Sequence, residues 1–167
     1  MNNPKLVRDL MSVGVPTCSL DTPVQDLTRL LLEKDWEGFV ALDDQGHAAG
    51  IVTQFELVGA YVQGDWANLT AEDVMQVNVP QVPPDIPLTA VAQIMRDQGV
   101  RVLFMMHRAG GIQYPAAFIT YKHLLRHLAT RDDEELCDLG IKAEREPPIE
   151  TFLRRREEAR KRASRHT

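Results

Sequence analysis

The stretch Arg8-Asp9-Leu10-Met11-Ser12-Val13-Gly14-Val15-Pro16 returns 64 residues later as Glu72-Asp73-Val74-Met75-Gln76-Val77-Asn78-Val79-Pro80. The match runs on to Asp21 and Pro23, which fall on Asp85 and Pro87. Seven identities occur across residues 8–43, where average composition gives about two by chance. Apolar character persists where identity lapses: Leu27 falls on Val91, Leu30 on Ile94 and Leu31 on Met95. Further on the offset becomes 67, so that Thr53 pairs with Thr120. The three added residues fall in Arg108–Gln113, read as a glycine-containing loop where insertion is cheap. The first 130 residues are thus organised by an internal repeat.

Each repeat reads the same way. A short extended piece follows Pro16 or Pro80. A helix then begins at Pro23 or Pro87, with proline tolerated in the first turn. Thr22 and Gln25 are expected to form a capping box. Val24, Leu27, Leu30 and Leu31 supply an apolar stripe at helical spacing. Two strands follow, Gly38–Asp43 with Ala48–Val52, then Val102–His107 with Ala116–Ile119. A second helix closes each unit, Gln54–Val62 or Tyr121–Ala129. The expected fold is α/β of the α+β type, a β-α-β-β-α unit made twice. One unit is small for an independent core, so the two should pack as one pseudo-twofold module.

The sequence Gly50-Ile51-Val52-Thr53-Gln54-Phe55-Glu56 closes the argument for a family. Together with Val7–Met11, Ala71–Met75 and the helix starts Asp21-Thr22-Pro23 and Asp85-Ile86-Pro87, it resembles the cystathionine-β-synthase (CBS) domain. The pair looks like a Bateman module, with repeats at residues 5–63 and 71–130 and a charged, partly helical tail at 131–167. The resemblance implies a non-catalytic regulatory, energy-sensing module. Its inter-repeat cleft would bind an adenosine-containing ligand: AMP, ADP, ATP or S-adenosylmethionine. No cofactor is required. The family commonly forms a homodimer through helices equivalent to Gln54–Val62 and Tyr121–Ala129. Leu57, Val58, Tyr61, Leu124, Leu125 and Leu128 are the apolar residues suited to that contact.

Individual residues fit such a cleft. Thr53 offers a hydroxyl at a helix start, where free backbone N–H groups suit phosphate. Glu56, one turn on, is placed to accept from ribose hydroxyls. Its extra methylene departs from the family's aspartate, and Thr53-x-x-Glu56 is equally a capping box. Val15, Pro16 and Thr17 are placed to sandwich and read an adenine, with Val79, Pro80 and Gln81 as their counterparts. Gly50 allows close approach. In the second repeat Ala117 replaces that glycine, and Thr120 is followed by His123 in the acidic position. An imidazole cannot grip a diol as a carboxylate does. The expectation is one competent site at most, centred on Thr53 and Glu56. Neutral His123 with nearby Lys122 would instead suit phosphate, while the first expectation for Lys122 is that it reaches to solvent. His123 and His127 have metal-ligand spacing but no third partner. Cys18 is read as a small hydrophobe, Trp36 as core or pocket rim, and Trp66 as a packing plug.

Composition excludes other classes. The 167-residue chain is 44% hydrophobic and 26% charged, with two cysteines and a net charge of −5. Two cysteines make no disulfide framework or zinc set, which points to the reducing cytoplasm. No apolar run approaches the roughly 20 residues of a membrane span. Acidity argues against nucleic-acid binding, and no nucleophile triad or Walker-type loop is present. Residues 1–130 hold 9 basic and 14 acidic side chains, hence the whole −5. The tail splits into an acidic block up to residue 150 and a basic block, residues 151–167. Such segregation suits docking to an unidentified protein partner. The alternative function is therefore a ligand-independent dimerisation and scaffolding module acting through that tail.

Overall fold

The computed structural model describes residues 4–130. The expectations for residues 131–167 lie outside the described residues. The described residues form six α-helices, six strands and a short 3-10 helix at Trp66–Asn68. They are α1 (Val7–Leu10), β1 (Ser12–Val13), β2 (Thr17–Ser19), α2 (Val24–Lys34), β3 (Gly38–Leu42) and β4 (Ala48–Thr53). Then come α3 (Gln54–Gln63), α4 (Ala71–Val74), α5 (Leu88–Gln98), β5 (Val102–Ala109), β6 (Ile112–Thr120) and α6 (Tyr121–Ala129). Two three-stranded sheets form, ordered β2-β3-β4 and β1-β6-β5. This is the α+β duplication expected. No helix among the described residues is long and apolar enough to cross a membrane.

The repeats exchange their opening segments. By sequence β1 belongs to the first repeat, yet Ser12 pairs with Phe118 and Val13 with Ala117 of the second. Ahead of it, Val7, Leu10 and Met11 are buried among Leu88, Val91, Met95 and Ile119 of the second repeat. Reciprocally, Ala71 of α4, with Val74 and Met75, joins Leu27, Leu31, Phe39 and Val52 of the first repeat. Gln76 and Ile51 then exchange two backbone hydrogen bonds, both 2.9 Å. A third cluster, Val15, Val40, Ile51, Val102 and Phe104, joins the two sheets. Neither unit of about 60 residues buries enough apolar surface alone. The exchange makes each core incomplete without the other repeat's leading segment.

Gly50 belongs to this exchange. A Cβ there would stand 2.6 Å from the Gln76 carbonyl oxygen and 2.8 Å from Met75 Sδ. The glycine therefore admits the chain's own crossing segment. Ala117, its counterpart, faces Val13 in the equivalent ladder.

Four local readings differ from the structure. Pro23 and Pro87 are extended N-cap residues, one position ahead of the helices. The Thr22–Gln25 capping box does not form, because the cap position belongs to proline and the Thr22 hydroxyl lies 3.0 Å from Ser19 Oγ. Leu30 remains 38% exposed while Val24, Leu27 and Leu31 are buried. The three inserted residues lengthen the second hairpin instead of forming a loop, since β5 runs to Ala109 and β6 starts at Ile112. The turn narrows to Gly110-Gly111, with φ of 59° and 79°. Two successive left-handed residues suit a tight hairpin and favour glycine.

Candidate ligand-binding cleft

The two repeats place Thr53 and Thr120 at the same kind of junction, where the last strand ends and a helix begins. Both are N-caps. Glu56 Oε2 accepts the Thr53 N–H at 2.8 Å and also the Thr53 hydroxyl. Thr53 Oγ1 in turn accepts from Phe55 N–H at 3.2 Å. The cap reading of Thr53-x-x-Glu56 is thus realised in full, and one carboxylate oxygen serves the backbone.

His123 performs the same task in the second repeat. Its Nδ1 accepts the Thr120 N–H at 3.0 Å and lies 2.9 Å from Thr120 Oγ1. An accepting Nδ1 carries no proton, which leaves the hydrogen on Nε2. Nε2 lies 2.9 Å from Ser12 Oγ, on the exchanged strand β1. His123 is 5% exposed and stands edge-on to Phe118. Histidine here is a buried capping residue that pins the exchanged segment, engaged on both nitrogens and not arranged as a metal ligand with His127.

A cavity of about 270 Å³ opens beside this junction. The first repeat contributes Pro16 and the turn after α2, including Trp36, Glu37 and Gly38. The second contributes Thr120, Lys122, His123 and Arg126. Phe104 and Phe118 give it an apolar wall. Trp36 is held by an edge contact to Phe39, centroids 5.6 Å apart, so its place as pocket rim agrees with expectation. The volume sits near the small end of the roughly 300–1,000 Å³ typical of ligand sites.

Lys122 does not simply reach to solvent. Its Nζ donates to Asp35 Oδ2 at 2.7 Å and lies 3.5 Å from Glu37 Oε1. Two carboxylates of the first repeat thereby hold an ammonium of the second. The Lys122 hydrogen bond, aided by its charge, keeps the Asp35 carboxyl below the usual carboxylate range. The same hydrogen bond raises Lys122 above its ordinary value. The pair thus persists until pH falls through the lowered Asp35 pKa or rises beyond the usual lysine range. Such exposed pairs contribute little to stability.

Of the residues singled out from sequence, the cavity brings together Pro16, Thr120 and His123. Thr53, Glu56 and Gly50 sit at the pseudo-equivalent junction. Val15 is buried in the seam and Thr17 is exposed on β2. Pro80 accepts from Phe104 N–H and Gln81 bridges Phe104, with Val79 packed on the seam cluster. Sequence reading missed Trp36, Glu37, Lys122 and Arg126 as a group, because they come from a helix end and a helix start distant in sequence. Cys18 packs against the first repeat's core, and burial pushes its thiol from 9.0 to about 11, which fits a small hydrophobe. Trp66 is half-buried, its ring 6.2 Å from that of the exposed Tyr61.

Helices α3 and α6 present Val58, Tyr61, Leu125 and Leu128 to solvent, joined by Phe55 at 84% exposure. Leu57 and Leu124, expected on the same face, pack inward against the first and second cores.

A family model described as the CBS domain matches residues 7–63 and again residues 71–130. No curated protein matches the chain. Among solved structures, an uncharacterized conserved protein from Pyrococcus horikoshii is similar, with 21% identity over 80% of this chain and 98% of its own, TM-score 0.68. The CBS domain pair of protein MJ0100, in complex with 5′-methylthioadenosine and S-adenosyl-L-methionine, is 19% identical over 78% of this chain and 100% of its own, TM-score 0.68. CBSX2 in complex with AMP is 21% identical over 74% of this chain and 95% of its own, TM-score 0.61. At these identities the likeness is one of fold.

Proposed function

We propose, from the premise that this chain belongs to the CBS domain family, that it is a non-catalytic regulatory module for an adenosine-containing ligand. The ligand occupies the cavity between Trp36 and Lys122, and a partner reads the resulting arrangement of the repeats. One observation carries this reading: the cavity is walled by both repeats, Pro16 and Trp36 from one, Thr120 and Lys122 from the other. A ligand there touches both and can favour one relative placement over another, which is what coupling requires. The adenosyl ligands bound to MJ0100 and CBSX2 support the chemical class. The cavity of about 270 Å³ beside Thr120 and His123 favours this cleft over the Thr53 junction.

Binding to the folded state alone stabilises it. At about 100 times Kd the gain is about 2.7 kcal/mol, or a rise in Tm of about 5–10 °C for a protein of this size. Scanning calorimetry with AMP, ADP, ATP and S-adenosylmethionine checks this. No shift with any of the four would overturn the ligand reading and leave the scaffolding alternative.

A homodimer through α3 and α6 is a second element of the proposal, supported by their apolar outer faces. Exposed apolar residues in such number on these two helices suit an interaction surface.

A further inference from the structure

Helices α1, α3, α4 and α6 open in the same way: the residue three beyond the N-cap accepts the N-cap N–H. Asp9, Glu56 and Asp73 do so with a carboxylate oxygen, each at 2.8 Å. His123 does so with Nδ1 at 3.0 Å, and it stands where the duplication puts Glu56. A carboxylate accepts throughout the neutral range. An imidazole nitrogen accepts only while it carries no proton, and histidine changes charge within that range.

A proton on Nδ1 sets one N–H against another. The Thr120 hydroxyl, 2.9 Å from Nδ1, can turn a lone pair toward the ring. The Thr120 backbone N–H is a fixed donor and loses its acceptor. The ring must then shift, and Nε2, 2.9 Å from Ser12 Oγ, shifts with it. Ser12 belongs to β1, which lies on the edge of β6. The surroundings do not favour the cation. His123 is buried, which costs a charge its hydration. Lys34 at the end of α2 and Lys122 and Arg126 on α6 line the same cavity. Its carboxylates, Asp35 and Glu37, already lie 2.7 and 3.5 Å from Lys122 Nζ. Strands β1, β5 and β6 bring only uncharged side chains to that lining.

We propose that His123 is a proton-sensitive latch on the opening segment of the chain. With Nδ1 unprotonated it caps α6 and holds β1 on β6; on taking up a proton it gives up the cap and loosens β1. The device acts without a ligand and stands apart from the ligand reading above. The unfolded chain takes up this proton near pH 6.5, about the ordinary histidine value. The folded chain takes it up only by losing the cap. The unfolded chain therefore binds more protons, and stability rises with pH. The latch contributes fully above about pH 6.5, and its contribution is lost as pH falls below that value. The first repeat keeps a carboxylate cap over the same range.

Urea unfolding of the full chain and of His123→Gln, at about pH 7.5 and about pH 5.5 on either side of the ordinary histidine value, tests this. A glutamine amide reproduces both contacts without titrating: its oxygen accepts the Thr120 N–H, as in a capping box, and its nitrogen donates to Ser12 Oγ. On acidification the unfolding constant is expected to rise about tenfold more in the unaltered chain than in the variant, the value of one proton kept out of the fold over this span. The other histidines contribute equally to both chains. Amide hydrogen exchange of the unaltered chain carries the same test without a variant: the Thr120 N–H loses protection between the two pH values, and the Thr53 N–H loses less. An equal rise in both chains, or a loss at Thr120 no greater than at Thr53, overturns the proposal.

Discussion

A chain shortened to begin at Gly14 is expected to lose the fold of its second repeat. The deletion lies wholly ahead of the first repeat's β2. It removes Val7, Leu10 and Met11 from the core built on Leu88, Val91 and Met95, and it removes β1 from the edge of β6. It also takes away Ser12, the partner of His123. Leu10→Ala alone is expected to cost about 2–5 kcal/mol, the range for a buried leucine. Domains have about 5–15 kcal/mol in all, so loss of the whole segment exceeds what the second repeat can bear. Amide hydrogen exchange should show protection collapsing in β5, β6 and α5. Retained protection there would show that the exchanged segment is dispensable.

Gly50→Val is expected to destabilise by about 1–3 kcal/mol, the range for overpacking. The obstacle is a backbone oxygen, Gln76 O at 2.6 Å from the new Cβ, which has no rotamer to escape into. Gly59→Ala provides the contrast. Nothing lies within 4 Å of a Cβ at Gly59, and alanine in place of a helical glycine is worth about 0.5–1 kcal/mol in the opposite direction. Urea unfolding measures both. A neutral Gly50→Val would mean that Met75-Gln76 is not seated as described.

The repeat was legible because its signals are local: proline ahead of each helix, apolar spacing within it, and strand pairs of matching length. The exchange of opening segments was not legible. Val7-x-x-Leu10 and Ala71-x-x-Val74 show that something is buried, but not against which repeat, since the two cores are near-copies. His123 was read as a weakened ribose contact, yet the sequence Thr-x-x-His satisfies a cap as Thr-x-x-Glu does. The cap is a backbone matter that either side chain serves through one accepting atom. The Gly-containing loop at 108–113 became hairpin because Gly110-Gly111 fits a two-residue turn, leaving its neighbours free to pair. Lys122 looked solvent-bound because its partners, Asp35 and Glu37, lie 87 and 85 positions away in the chain.

The adenosine ligand is proposed to sit in the cleft between Trp36 and Lys122. A ¹H–¹⁵N correlation spectrum of the intact chain, titrated with AMP, tests it most directly. The predicted result is movement of the Trp36 indole and of the Thr120, Lys122 and His123 amides, with Gln54 and Glu56 left in place. Movement at Gln54 and Glu56 with the Trp36 signals unmoved, or no movement at either cleft, would contradict it.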